Sequence, residues 1–149
     1  MSTSNAALTP QQTAERVRER MYANDRAVQG LGIDIVEIAP GHAAATMTVQ
    51  PHMLNGHATC HGGFLAALAD TAFAYACNSY DELTVASGFS IDLVAPAREG
   101  DRLTARSVEM SKAGRTGVYD SEITNQRGER IAMFRGRSYT AKGRPAVPA

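Results

Sequence analysis

Between Met53 and Ser79 the chain reads MLNGHATCHGG, then FLAALAD, then TAFAYACNS. A polar loop ends in His61-Gly62-Gly63, where an apolar, alanine-rich helix is expected to begin. A helix N-terminus presents unsatisfied N–H groups and a partial positive charge. Glycine there lets a carbonyl oxygen approach the backbone closely, which suits the oxyanion of acyl transfer. The same triplet is also an ordinary loop-to-helix junction, so alone it decides nothing. Asp70 is the sharper signal. It falls in mid-helix among Ala66, Ala67, Ala69, Phe73 and Ala74, where an ionised carboxylate is costly to bury. Such acids concentrate at functional sites; the alternatives are a capped loop or an arginine partner. Gly62 and Asp70 stand eight residues apart, roughly 12 Å along one helix at about 1.5 Å per residue. Groups acting on one reacting carbon must lie closer. A site using both is expected to combine Gly62 of one subunit with Asp70 of another.

His52, His57 and His61 suggest a metal through the H-x-x-x-H spacing of the last two. That spacing aligns two ligands only on a helix, and this stretch reads as loop, so no metal is expected. Cys60 and Cys77 read as small buried hydrophobes, and Phe73 and Tyr75 as core.

The elements that must position these groups follow from pattern. Thr9-Pro10 opens a helix through about Asn24, with Thr9 as N-cap, and Gly30 and Gly32 punctuate the chain after it. Strands are expected at Ile33 to Ile38 and Ala43 to Gln50 around an Ala39-Pro40-Gly41-His42 turn, then a loop over 51–61. The central helix runs from Gly62 to about Ser79. Four strands follow, at Thr84 to Val94, Arg102 to Met110, Thr116 to Asn125 and Arg130 to Ala141. In the first of these four, Val85, Phe89, Ile91 and Leu93 read as one face. A frayed end is expected from about Gly143. The central helix is apolar almost all round, so a sheet must wrap it. The order predicts an α+β fold, a curved antiparallel sheet around one buried helix: the hotdog arrangement.

The 149 residues suit a single domain, 1–149, with an N-terminal helix at about 10–24 and a hotdog core at about 32–142. Fifteen basic and fifteen acidic residues cancel, against a nucleic-acid binder. Two cysteines cannot form a disulfide framework, and Met1 to Leu8 has no secretory pattern. The apolar stretch Phe64 to Cys77 is too short for a membrane span. A cytoplasmic protein is expected.

The segment from Met53 to Ser79, and more loosely about Gly32 to Tyr139, resembles the PaaI family of hotdog thioesterases of phenylacetic acid degradation. LNGHATCHGG, LADTAFAYACNS and GRTGVYDSEITNQRGERIAMFRGRS carry the likeness. The resemblance implies an acyl-CoA thioester hydrolase acting on phenylacetyl-CoA or hydroxylated aryl-acetyl-CoA, a homotetramer of hotdog dimers without cofactor. It implies that Asn55 helps position the thioester carbonyl, that His61 lies beside the thioester, and that the Gly62 N–H, with Gly63 next to it, polarises the oxygen. Asp70 from the opposing subunit would be nucleophile or general base, with Thr71 beside it. Related enzymes carry a hydroxyl on the strand after the helix to hold water. Here Gly88 stands between Ser87 and Ser90, and Ser87 is the candidate. Lys112 and Arg115 are candidates for the CoA phosphates, ahead of Arg135 and Arg137. The rival readings are a hotdog hydratase or dehydratase and a non-catalytic acyl-CoA-binding protein. The second would need a basic DNA-binding segment, which the charge-balanced helix at 10–24 does not offer.

Overall fold

The computed structural model describes residues 6–148. For residues 1–5 the reading of the N-terminal stretch as free of a secretory pattern lies outside the described residues. Helix α1 (Pro10–Asn24) starts where Thr9 accepts from the Gln12 N–H at 3.1 Å and Gln12 answers by accepting from the Thr9 N–H at 2.9 Å, a reciprocal cap. Ala14 and Val17 are its buried face. A short helix that the glycine punctuation concealed, α2 (Arg26–Gly30), follows at once. Its cap, Asp25, also accepts from the Tyr75 hydroxyl at 3.2 Å and so ties the α1–α2 corner to the central helix.

Strands β1 (Asp34–Ala39) and β2 (His42–Thr48) form a hairpin. A single 3-10 turn at Pro51–Met53 and a loop lead into α3 (Gly62–Asn78). Then come β3 (Thr84–Leu93), β4 (Arg102–Ala113), β5 (Thr116–Thr124) and β6 (Arg130–Thr140). All six strands join one antiparallel sheet in the order β1-β2-β4-β5-β6-β3. The sheet bends round α3, as the all-round apolarity of that helix requires. Leu65, Leu68, Ala69, Ala72, Phe73, Tyr75 and Ala76 are buried against it. Gly136 on β6 makes this contact possible: a Cβ there would sit 2.9 Å from the Phe73 ring. Only one stripe of α3 past its first turn, Ala66, Ala67, Asp70 and Ala74, is merely half-buried.

Two expectations need correction. β3 does not keep one apolar face along its length. Its register against β6 shifts between Ala86 and Gly88, and a bulge flips every side chain on one side of it. Val85 therefore opposes exposed Tyr139 on the outer face, while Phe89 opposes Gly136 on the inner face and stacks on Phe134 at 4.9 Å. Nor does the chain fray from Gly143. The Leu83 N–H donates to the Arg144 carbonyl at 2.9 Å, the Ala146 N–H donates to Asp81 at 3.1 Å, and Val147 is buried. Among the described residues no helix is long and apolar enough to cross a membrane.

The two sheet edges differ. β1 is flanked by α1, whereas β3 leaves Val85, Phe89 and Leu93 at 43–53% exposure.

Candidate active site

At the N-terminal end of α3 lies a cleft of about 320 Å³ lined by Asn55, Thr59, Cys60, Gly62, Leu65, Leu93 and the 94–97 segment. One wall is the loop before the helix, held in shape by Asn55. The Asn55 side-chain oxygen accepts from the N–H groups of His57 at 2.9 Å and Thr59 at 3.2 Å, and its amide donates to the Thr59 hydroxyl at 3.0 Å. That turn forces Ala58 to a φ of 59°. Backbone bonds from the Cys60 N–H to the Ala97 carbonyl (2.7 Å) and from the His61 N–H to the Met53 carbonyl (2.8 Å) seat the loop. Asn55 thus builds the wall as well as facing the cleft, and one amide N–H is left over.

His61 is the N-cap of α3. Its Nδ1 accepts from the Gly63 N–H at 3.3 Å, and its carbonyl accepts from the Phe64 N–H at 3.0 Å. An accepting Nδ1 leaves the proton of the neutral ring on Nε2, as a donor. The N–H groups of Gly63 and Phe64 are thereby used inside the chain. The Gly62 N–H donates to no acceptor among the described residues, and Gly62 lines the cleft. One free N–H of a helix terminus, lining a cleft, can polarise one carbonyl oxygen.

Asp70 lies two turns further along α3 and is not among the cleft's lining residues. Its Oδ1 is buried without a hydrogen-bond partner, and burial raises the carboxyl above its ordinary pKa of 3.8. Neither a loop cap nor an arginine accounts for it. A half-buried, unneutralised carboxyl of raised pKa is a competent proton acceptor. The single chain brings Asn55, Gly62, His61 and Gly63 together at one helix end and leaves Asp70 apart.

The other candidates are placed as follows. The Thr71 hydroxyl donates to the Ala67 carbonyl at 2.7 Å. Ser87 sits in the β3 bulge and donates to the Arg137 carbonyl at 3.1 Å. Lys112 holds its ammonium 3.9 Å over the Tyr80 ring, and Arg115 stands exposed in the β4–β5 turn. Arg135 is held by Asp120 through two bonds at 2.6 and 2.8 Å. Cys60 and Cys77 are buried, which raises both thiols, to about 11 and about 12. Larger open hollows between α1 and β1 and on the outer face of the sheet gather no comparable chemistry.

Sequence reasoning missed Thr59 and Leu93. Thr59 had a signal, since an Asn followed two and four residues on by backbone it can hold is an Asx-type turn. Leu93 had none, because its place at the cleft depends on where β3 ends relative to α3.

A six-stranded antiparallel sheet curled round one helix, with an open cleft at the start of that helix, defines the hotdog fold. The chain belongs to the thioesterase superfamily, whose family model matches residues 57–132. It is 51% identical over 123 residues to the acyl-coenzyme A thioesterase PaaI of Escherichia coli, covering 83% of this chain and 88% of that one. The solved structure of the E. coli PaaI protein from the phenylacetic acid degradation operon superposes with a TM-score of 0.89 at 47% identity, over 91% of this chain and 99% of that one. A thioesterase protein of Streptococcus pneumoniae solved with coenzyme A superposes with a TM-score of 0.72 at 26% identity, over 75% of this chain and 90% of that one.

Proposed function

We propose that this thioesterase hydrolyses aryl-acetyl-CoA thioesters, phenylacetyl-CoA or a hydroxylated relative, to the free acid and CoA. The observation that carries the reading is the unpartnered Gly62 N–H lining the cleft at the start of α3. The thioester carbonyl accepts from that N–H, and the remaining Asn55 amide proton and the His61 Nε2–H flank it. The acyl tail lies on the apolar lining. A cleft of about 320 Å³ is at the small end of ligand pockets, which start at roughly 300 Å³, and suits a compact aryl group better than a long chain. The name of the E. coli relative and the operon of its solved structure point the same way.

Asp70 comes from a second subunit. Its carboxylate either takes a proton from water as the water attacks the carbonyl carbon, or attacks that carbon itself to give a mixed anhydride that water then hydrolyses, regenerating the carboxylate. The carbon–sulfur bond breaks, the thiolate leaves and is protonated, and the acid is released. The exposed apolar edge of β3 supports a dimer joined there, since an unpaired apolar edge is a template for a second strand. It would bring the bare Asp70 stripe of one subunit towards the partner's cleft. Two such dimers make the tetramer. Ser87, in the bulge of that edge, is the hydroxyl available to hold water, and Gly63 and Thr71 support the groups beside them. Lys112 and Arg115 meet the CoA phosphates. Two unpaired, buried thiols accord with a reducing cytoplasm.

A thiol-release assay over aryl and alkyl CoA thioesters tests the reading. Aryl-acetyl-CoA should give the highest kcat/KM. Equal or better turnover of long alkyl thioesters would overturn the substrate class, and no thiol release from any of them would overturn the activity.

A further inference from the structure

Position 62 raises a question that the oxyanion role alone leaves open. Gly62 does not have the positive φ that only glycine adopts easily, so the backbone does not demand glycine there. The surroundings are close on one side only: a Cβ on residue 62 would sit 2.7 Å from Leu93 Cδ1, the far end of a flexible, exposed side chain, and meet nothing else at close range. The adjacent Gly63 is different, since a Cβ there meets nothing nearer than His61 Nδ1 at 3.6 Å. Leu93 therefore rests directly against Gly62, as no side chain does so tightly against Gly63.

Leu93 is the last residue of β3 and lies on its inner face, in register with Phe89 and Ile91 beyond the bulge. Inner-face side chains of the sheet are generally buried, yet on this edge strand Phe89 is 43% and Leu93 53% exposed, and of the two Leu93 lines the cleft. The floor behind it is made of Leu65, Cys60 and Ala97, which are 3%, 6% and 1% exposed. A pantetheine arm carries amides that would go unpaired on such a floor, whereas an acyl tail carries none. The space between Leu93 and that floor is acyl space.

We propose that Leu93 is the specificity-determining side chain of the cleft: it rests on Gly62, keeps water off the N–H there, and limits the bulk of the acyl group. The inference rests on the reading that the thioester carbonyl binds at Gly62. A pocket wall moved by one or a few methylene groups changes discrimination by roughly 10–200-fold. Leu93→Ala should raise the ratio of kcat/KM for naphthylacetyl-CoA over phenylacetyl-CoA by at least about 10-fold, and Leu93→Phe should lower it. Gly62→Ala keeps the N–H but displaces the Leu93 tip, so it should alter this ratio only while Leu93 is present, and Gly62→Ala combined with Leu93→Ala should match Leu93→Ala alone.

The experiment measures these ratios for the wild type and four variants, after size-exclusion and circular dichroism profiles identify the folded ones. Leu93→Phe carries the test by itself if Leu93→Ala does not fold. Opposite shifts of the ratio in the two Leu93 variants, with the double variant matching Leu93→Ala, support the proposal. An unchanged ratio, or a change confined to inhibition by free CoA, overturns it while leaving thioester hydrolysis intact. Absence of thiol release from the wild type would instead overturn the underlying reading, and this inference with it.

Discussion

The two ends of α3 are built on opposite rules. At the C-terminal end the Asn78 and Ser79 side chains are fully answered. Asn78 accepts from the Thr84 N–H at 3.0 Å and donates to the carbonyls of Ala74 and Thr84, both at 2.9 Å. The Ser79 hydroxyl donates to the Ala76 carbonyl at 2.7 Å and accepts from the Gly41 N–H at 2.8 Å. Nearby, Glu109 takes the hydroxyls of Tyr80 and Tyr119 at 3.0 and 2.9 Å. Towards the N-terminal end the Gly62 N–H and the buried Asp70 Oδ1 are left without protein partners. Unmet polar groups cost stability. On α3 they lie at the first residue and at the midpoint, away from the C-terminal end that holds the fold, and they belong to the part proposed to act on a ligand.

The sharpest way to break this contrast is Asp70→Asn, which keeps shape and removes the base. Turnover should fall by on the order of 10²–10⁴ if Asp70 is a general base, measured as kcat by thiol release, and loss of only a factor of a few would end its catalytic assignment. The same variant tests the stability half of the comparison. Burial raises the Asp70 pKa, so the folded chain binds this proton more tightly than the unfolded chain. The associated stability is fully present below the ordinary value of 3.8, is lost as pH climbs towards the raised value, and stays lost above it. Asp70→Asn should therefore melt higher than wild type at neutral pH, with the gap closing in acid. A lower Tm at neutral pH would mean that the carboxylate is compensated.

Asn55 sharpens the contrast because it holds the loop and is also proposed to meet the oxyanion. Asn55→Asp keeps the oxygen that holds the loop and removes the amide donors. It should lower kcat by on the order of 10²-fold if the free N–H meets the oxyanion, with melting near wild type. Asn55→Ala should lose both. If the two variants behave alike in kcat and Tm, Asn55 is a loop organiser only.

At the other end, Asn78→Ala should cost about 1–3 kcal/mol for each group it leaves buried and unpaired, read from denaturant midpoints, with kcat in the folded fraction unchanged. A fall in kcat with intact stability would place chemistry where none is assigned. The smallest effect belongs to Gly63→Ala. With open space at Cβ and a helical position, it should be neutral or stabilising by up to about 1 kcal/mol; strong destabilisation would mean the first turn of α3 is tighter than its geometry.

Much of this was legible in the sequence where the cause is local. Thr9-Pro10 and Gln12 specify the α1 start, and the all-round apolarity of 64–77 demands a wrapped helix. Asp70 stood out because a carboxylate among alanines has no local reason to be there. What stayed hidden depends on register and distance along the chain. The β3 bulge at Ala86/Gly88 arises from pairing with β6, and no period within β3 announces it. Docking of residues 144–147 against Leu83 and Asp81 is likewise a long-range event. Leu93 is the same kind of case at the site itself.

The central claim is that Gly62 and Asp70 act together across a subunit boundary, and subunit mixing tests it most directly. Asp70→Asn chains would be co-expressed with Gly62→Pro chains, which lack the N–H, after each parent is verified as a folded oligomer. In a mixed dimer one composite site carries both lesions and the other carries neither, so two-fold symmetry gives up to roughly half of wild-type activity per dimer. Restored thiol release from two inactive parents is the predicted result. Verified mixed dimers that remain inactive would contradict the shared site and place all catalytic groups within one chain.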